Sequence, residues 1–135
     1  MNVLLISANT LNTPYPVYPM GLDYVAAALL AKHQVKIADM NLHDLETIGQ
    51  MVDEFAPEVI GISLRNIDNT DTSTPRGYLT EYKKLMDAIR QRAKSLIILG
   101  GAGFSILPEQ FMSILEADYG IIGEGERMAD RKSVV

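Results

Sequence analysis

The sequence predicts an α/β fold: a doubly wound, Rossmann-like sheet of flavodoxin type, with five parallel strands in the order 2-1-3-4-5. Three observations predict it. Short apolar runs alternate five times with stretches whose apolar residues recur at helical spacing. The first run is continuously apolar, as a strand covered on both faces must be. Segments leaving the carboxyl ends of the runs are long or rich in Gly, Ser and Asn, whereas those on the opposite edge are short.

The elements follow in order. Asn2 to Ala8 forms the first strand, and the Pro/Asn/Tyr-rich stretch Asn9 to Pro19 follows it. Gly21 opens a helix with Leu22, Val25, Ala26, Leu29 and Leu30 on one face. Gln34 to Ala38 is the second strand. Leu45, Ile48, Val52 and Phe55 define a second helix, which Pro57 ends. Val59 to Ser63 is the third strand, and a polar loop from Leu64 to Gly77 leaves it. A third helix covers about Tyr78 to Ala93, turning Leu79, Tyr82, Leu85, Met86 and Ile89 inward. Ser95 to Leu99 is the fourth strand, closed by Gly100-Gly-Ala-Gly103. A short helix starts near Pro108, a residue suited to a first helical turn. Tyr119 to Ile122 is the fifth strand, followed by Gly123-Glu-Gly-Glu126.

Composition narrows the function classes. A chain of 135 residues that is 47% hydrophobic fits one domain with a real core. Twelve basic against seventeen acidic residues give a net charge of −5, which lacks the basic field that non-specific nucleic-acid binding needs. With no cysteine there is no disulfide, thiolate zinc site, cysteine nucleophile or cysteine-ligated cluster within the chain. No apolar run reaches about 18 residues, and no signal peptide is visible. These features fit the cytoplasm and are compatible with an oligomer.

In a doubly wound sheet, ligands bind outside the carboxyl ends of the strands. Four segments lie there: Asn9–Pro19, Leu64–Gly77, Gly100–Phe104 and Gly123–Glu126. The Ser63 hydroxyl can bond a ligand without crowding it, and Arg65 can clamp a carboxylate, amide or phosphate. The polar residues after Arg65 suit turn capping equally well. Gly100-Gly101 lets a backbone pass close to a bulky ligand or simply makes a tight turn. His33 falls on the amino edge and His43 near the start of the second helix, neither with a partner at metal-ligand spacing.

Known catalytic signatures are missing. Gly-x-Ser-x-Gly, the P-loop and a Gly-x-Gly-x-x-Gly after the first strand are absent. Ser7-Ala-Asn-Thr10 lacks the acidic residues of a phosphoreceiver domain. The residues alone describe a wide polar binding edge with no evident catalytic group. Nucleotide or flavin binding on a flavodoxin-like frame, and a ligand-free interaction module, both remain open readings at this point.

Several stretches occur together in a telling order. They are Asn2-Val-Leu-Leu-Ile-Ser7, Tyr18-Pro-Met-Gly-Leu-Asp-Tyr-Val-Ala-Ala-Ala-Leu29, and His33-Gln-Val35 leading to Asp39. Pro57-Glu-Val-Ile-Gly-Ile-Ser63, Leu99-Gly-Gly-Ala102 and Tyr119-Gly-Ile-Ile-Gly-Glu-Gly-Glu126 follow. In these the chain resembles the amino-terminal cobalamin-binding domain of class B radical S-adenosylmethionine proteins, over residues 1–126. Arg65-Asn-Ile-Asp-Asn69 looks like a subgroup signature. The resemblance implies that cobalamin is held by Asn9 and Thr10, by Ser63, Leu64, Arg65 and Asn66, by Gly100, Gly101 and Ala102, and by Gly123, Glu124, Gly125 and Glu126. Gly100 and Gly101 would leave room for the nucleotide tail and Ser63 would bond it. A leucine in place of Gly101 should then block the tail's path, with little change in stability if the native φ is negative and a loss if it is positive.

Two departures qualify the resemblance. The place of the Asp-x-His-x-x-Gly motif, whose His ligates cobalt in methionine-synthase-type proteins, holds Ser7-Ala-Asn-Thr-Leu-Asn-Thr-Pro14 and no histidine. No residue of this chain is therefore expected to ligate the metal. The Cys-x3-Cys-x2-Cys of the radical domain, which holds a 4Fe–4S cluster and acts with S-adenosylmethionine, is also absent, and residues 127–135 read as a tail or linker start. The resemblance thus implies a cofactor-binding domain excised from a radical enzyme. The piece is not expected to be catalytic by itself, and methyl transfer is the reaction most in keeping with its parent.

Overall fold

The structure is a computed structural model, and it describes residues 1–10, 20–65 and 79–123. Five parallel strands form its centre: β1 (Asn2–Ser7), β2 (Gln34–Asp39), β3 (Val59–Ser63), β4 (Leu96–Gly100) and β5 (Tyr119–Gly120). Their spatial order is β2-β1-β3-β4-β5, as the sequence predicts. β1 pairs with β2 on one side and β3 on the other, so its run Val3 to Ser7 is buried throughout. That is the physical reason for its unbroken apolar sequence.

The helices divide between the two faces. α1 (Met20–Leu29) lays Leu22, Ala26 and Leu29 on Val3 and Leu5. α2 (Leu45–Phe55) and α3 (Leu79–Arg92) cover the other face, where Ile48, Val52, Tyr82 and Leu85 meet Leu4 and Ile60. Leu30 stands one residue past α1 and is 59% exposed, so it does not belong to the inward face predicted for it.

The segment after β4 holds two helices instead of one: α4 (Ala102–Ile106) and α5 (Pro108–Leu115). The Gly-rich stretch predicted as a closing loop is thus the start of α4. Its first turn is held by a carbonyl from the exit of β3, since the Gly103 and Phe104 N–H groups donate to the Leu64 oxygen at 2.8 and 3.3 Å. Phe104 is buried and packs beside Phe111 of α5, with ring centroids 6.5 Å apart.

Strand ends also shift. β4 starts one residue later than predicted because the Ser95 hydroxyl turns back to the Pro57 oxygen at 2.6 Å. β5 ends at Gly120; Ile121 still donates to the Leu99 oxygen at 2.8 Å, whereas Ile122 is 46% exposed.

Candidate functional site

Strand register brings the carboxyl ends into one row. Asp39 of β2, Ser7 of β1, Ser63 of β3 and Gly100 of β4 stand side by side. Side chains alternate along a strand, and Leu5 and Val59 lie on the face that α1 covers. Ser7 and Ser63 therefore lie on that same face, with Gly100 beside them. The row continues beyond the strands through backbone bonds from Met40 to Ser7, Ala8 to Ser63 and Leu64 to Gly100, at 3.0, 3.1 and 2.8 Å. The result is a small, polar floor at one end of the sheet.

The two adjacent glycines do different things. Gly101 adopts φ 100° and ψ 171°, a region essentially reserved for glycine. A Cβ there would sit 2.7 Å from Ser63 Oγ, and 2.8 and 2.9 Å from the Leu64 oxygen and nitrogen. Its hydrogen faces the exit of β3, and the residue is glycine because the fold requires it. The positive φ decides between the two stability outcomes: a side chain at Gly101 destabilises the fold. Gly100 is the open position: a Cβ there would meet only the Ile121 oxygen, at 3.7 Å.

The remaining predicted residues sort by surroundings. Leu64 is 1% exposed; its side chain belongs to the core, and its nitrogen and oxygen bond to Gly100 and to α4. Asn9 is buried and Thr10 half-buried at the exit of β1, and Arg65 and Ala102 are exposed. Gly123 is exposed with φ 86°, and its N–H donates to the Ser105 hydroxyl at 3.0 Å. Asn66, Glu124, Gly125 and Glu126 lie outside the described residues. The structure thus gathers Ser63, Gly100, Gly101 and Ala102 around one strand exit.

Two residues here escape a reading of the sequence. Ser105 bonds both Gly101 and Gly123. Asn41, in the turn after β2, donates its N–H to Asp39 Oδ1 at 2.9 Å, while both polar atoms of its side chain are buried without a partner. An Asn in a turn gives no signal of that in the sequence. Next to it, His43 precedes the residue that caps α2. Asp44 accepts the Thr47 N–H at 2.8 Å, and this bond holds its carboxyl below the usual aspartate range. His33 lies at the opposite edge, its Nδ1 3.4 Å from the amino terminus.

The opposite edge also carries two open grooves of about 520 and 560 Å³. Their walls include the ion-paired Asp53 and Arg92, together with Glu58 and Lys94. Neither groove touches the row of small residues. Among the described residues no three His, Cys, Asp or Glu side chains gather to hold a metal. None of the described helices is long and apolar enough to cross a membrane. What the carboxyl edge offers is hydroxyls, amides and open backbone, suited to a large and nearly neutral ligand.

Comparison with known proteins agrees with that chemistry. A family model for the B12 binding domain matches residues 6–131. Tryptophan 2-C-methyltransferase of Streptomyces laurentii is 28% identical over 130 residues, which are 93% of this chain and 21% of that protein. The radical S-adenosylmethionine methyltransferase TsrM from Kitasatospora setae, solved with cobalamin and a 4Fe–4S cluster bound, superposes with a TM-score of 0.87. It is 25% identical, and the match covers 98% of this chain and 24% of TsrM. The cobalamin-dependent radical enzyme OxsB, solved with aqua-cobalamin and S-adenosylmethionine, shares the fold at 18% identity and a TM-score of 0.70, over 99% of this chain and 19% of OxsB. The chain spans a quarter or less of the length of these relatives.

Proposed function

The chain belongs to the B12 binding domain family, and we propose that it seats cobalamin on the carboxyl edge of its sheet, with the nucleotide tail over Gly100. One observation carries this placement: the row Ser7, Ser63, Gly100 stands on the face of α1, and space above Gly100 is open. Ser63 bonds the tail, and Gly101 supports Ser63 from behind. Asn9, Thr10, Arg65, Asn66, Ala102 and the Gly123–Glu126 segment border the corrin, whose amide side chains suit such polar and small partners. The orphaned amide of Asn41 on the same edge is a further donor and acceptor for an adjusting polar group.

When bound, cobalamin supplies a cobalt that can carry a methyl group. The chain's own residues hold and orient it. No histidine occurs between Ser7 and Pro19, so this stretch of sequence would offer amide and hydroxyl groups and no imidazole to the cofactor. Residues 1–126 are the binding unit, and residues 127–135 lead toward a radical domain of the same protein. Its methyltransferase relatives support methyl transfer as the whole protein's role, and we place that role in the cytoplasm.

Titration with hydroxocobalamin, followed in the visible spectrum, tests this reading. The chain should bind, and Gly100→Leu should weaken binding by about tenfold or more while leaving the melting temperature nearly unchanged. Equal affinity in Gly100→Leu would remove the tail from this place.

A further inference from the structure

The geometry points to Ser105 as a positioning residue that sets the gap between the exits of β4 and β5, and with it the seat of the corrin. The inference rests on the placement of cobalamin given above. A serine hydroxyl has one hydrogen to donate and lone pairs to accept. Here the hydrogen goes to the Gly101 oxygen at 3.0 Å, and the lone pair takes the Gly123 N–H at 3.0 Å. A serine bonding back four residues within its own helix is commonplace. The second bond is different, because it reaches across to another strand exit.

The location of the two ends gives the bridge its effect. Gly101 and Gly123 both have positive φ, so each marks a place where the backbone leaves its strand direction. The backbone ladder between β4 and β5 stops at the bond from Ile121 to Leu99, two residues short of Gly123. Beyond it, Ser105 joins the turn that supports Ser63 to the turn that opens the Gly123–Glu126 segment. Ser105 is half-buried, and its hydroxyl is taken up by these two glycines. It therefore acts on binding by holding the walls in place.

Hydroxocobalamin titration and backbone amide exchange of the full chain test this with Ser105→Ala and Ser105→Thr. Ser105→Ala should bind about five- to tenfold more weakly, the range expected for one net hydrogen bond. Ser105→Thr, which keeps the hydroxyl, should bind as the parent does. Without cobalamin, the Gly123 amide should exchange faster in Ser105→Ala and return to the parent rate in Ser105→Thr. Unchanged affinity in Ser105→Ala, unchanged Gly123 exchange, or a loss that Ser105→Thr does not restore would each overturn the inference. If the parent chain itself takes up no cobalamin, the placement of the cofactor falls, and Gly123 exchange still decides whether the bridge exists.

Discussion

The two edges of the sheet are built by opposite means. At the amino edge, side chains tie the turns: Asn2 donates to the Phe55 oxygen at 2.8 Å, Ser95 to the Pro57 oxygen at 2.6 Å, and Asp118 accepts the Ile97 N–H at 2.8 Å. Two of its turns force ordinary residues, Ala56 and Glu116, into the left-handed region at φ 48° and 54°. At the carboxyl edge, the positive-φ positions among the described residues are glycines, and the described strand ends are joined mainly by backbone bonds. Stability is invested at one end, and room is kept at the other. The difference also separates the two grooves from the candidate site. The grooves at the amino edge are lined by charged residues, among them the Asp53–Arg92 pair, whereas the candidate site is a row of small residues.

Substitutions can break this contrast, and the largest effect belongs to Gly101. Gly101→Ala forces a side chain into a glycine-only conformation against backbone, and should cost about 2–4 kcal/mol in urea unfolding. A cost as small as that of Gly100→Leu would erase the distinction between the two glycines. Next comes Ser95→Ala, which leaves the Pro57 oxygen without its partner. It should cost about 1 kcal/mol and leave hydroxocobalamin affinity unchanged; an affinity loss there would mean that the edges are coupled. Glu116→Gly relieves a left-handed turn and should raise stability by about 0.5–1 kcal/mol, read as a higher melting temperature.

The smallest effect is electrostatic. The Thr47 N–H lowers the pKa of Asp44 in the folded chain. The bond therefore contributes stability at neutral pH, above the unfolded pKa, and loses it as acid protonates the carboxylate through its lowered folded value. Asp44→Ala should flatten that part of the acid limb of a pH–stability curve. Identical acid limbs in the two proteins would mean that the cap contributes nothing.

The sheet was legible because its signals are local. The unbroken run Val3 to Ile6, the helical spacing of Tyr82, Leu85, Met86 and Ile89, and the Pro57 stop each state their own element. The row at the carboxyl edge was legible in outline, since Ser63 and Gly100 stand at the ends of apolar runs in the sequence. What stayed hidden depends on distant partners. Nothing near Gly103 announces that the Leu64 oxygen will start a helix there. Gly100 and Gly101 look alike as letters, and only the backbone of Leu64 tells them apart. Ser105 reads as an ordinary helix serine until Gly123 arrives beside it.

The start of α4 has a consequence for the order of assembly. A five-residue helix has too few internal bonds to persist alone, and the first turn of this one leans on the carbonyl of Leu64, just past the end of β3. α4 must therefore wait until β3 and β4 have met, a pairing that first has to close a long loop. On the folding path, the sheet is the template, and the wall that α4 gives the binding edge is laid down late.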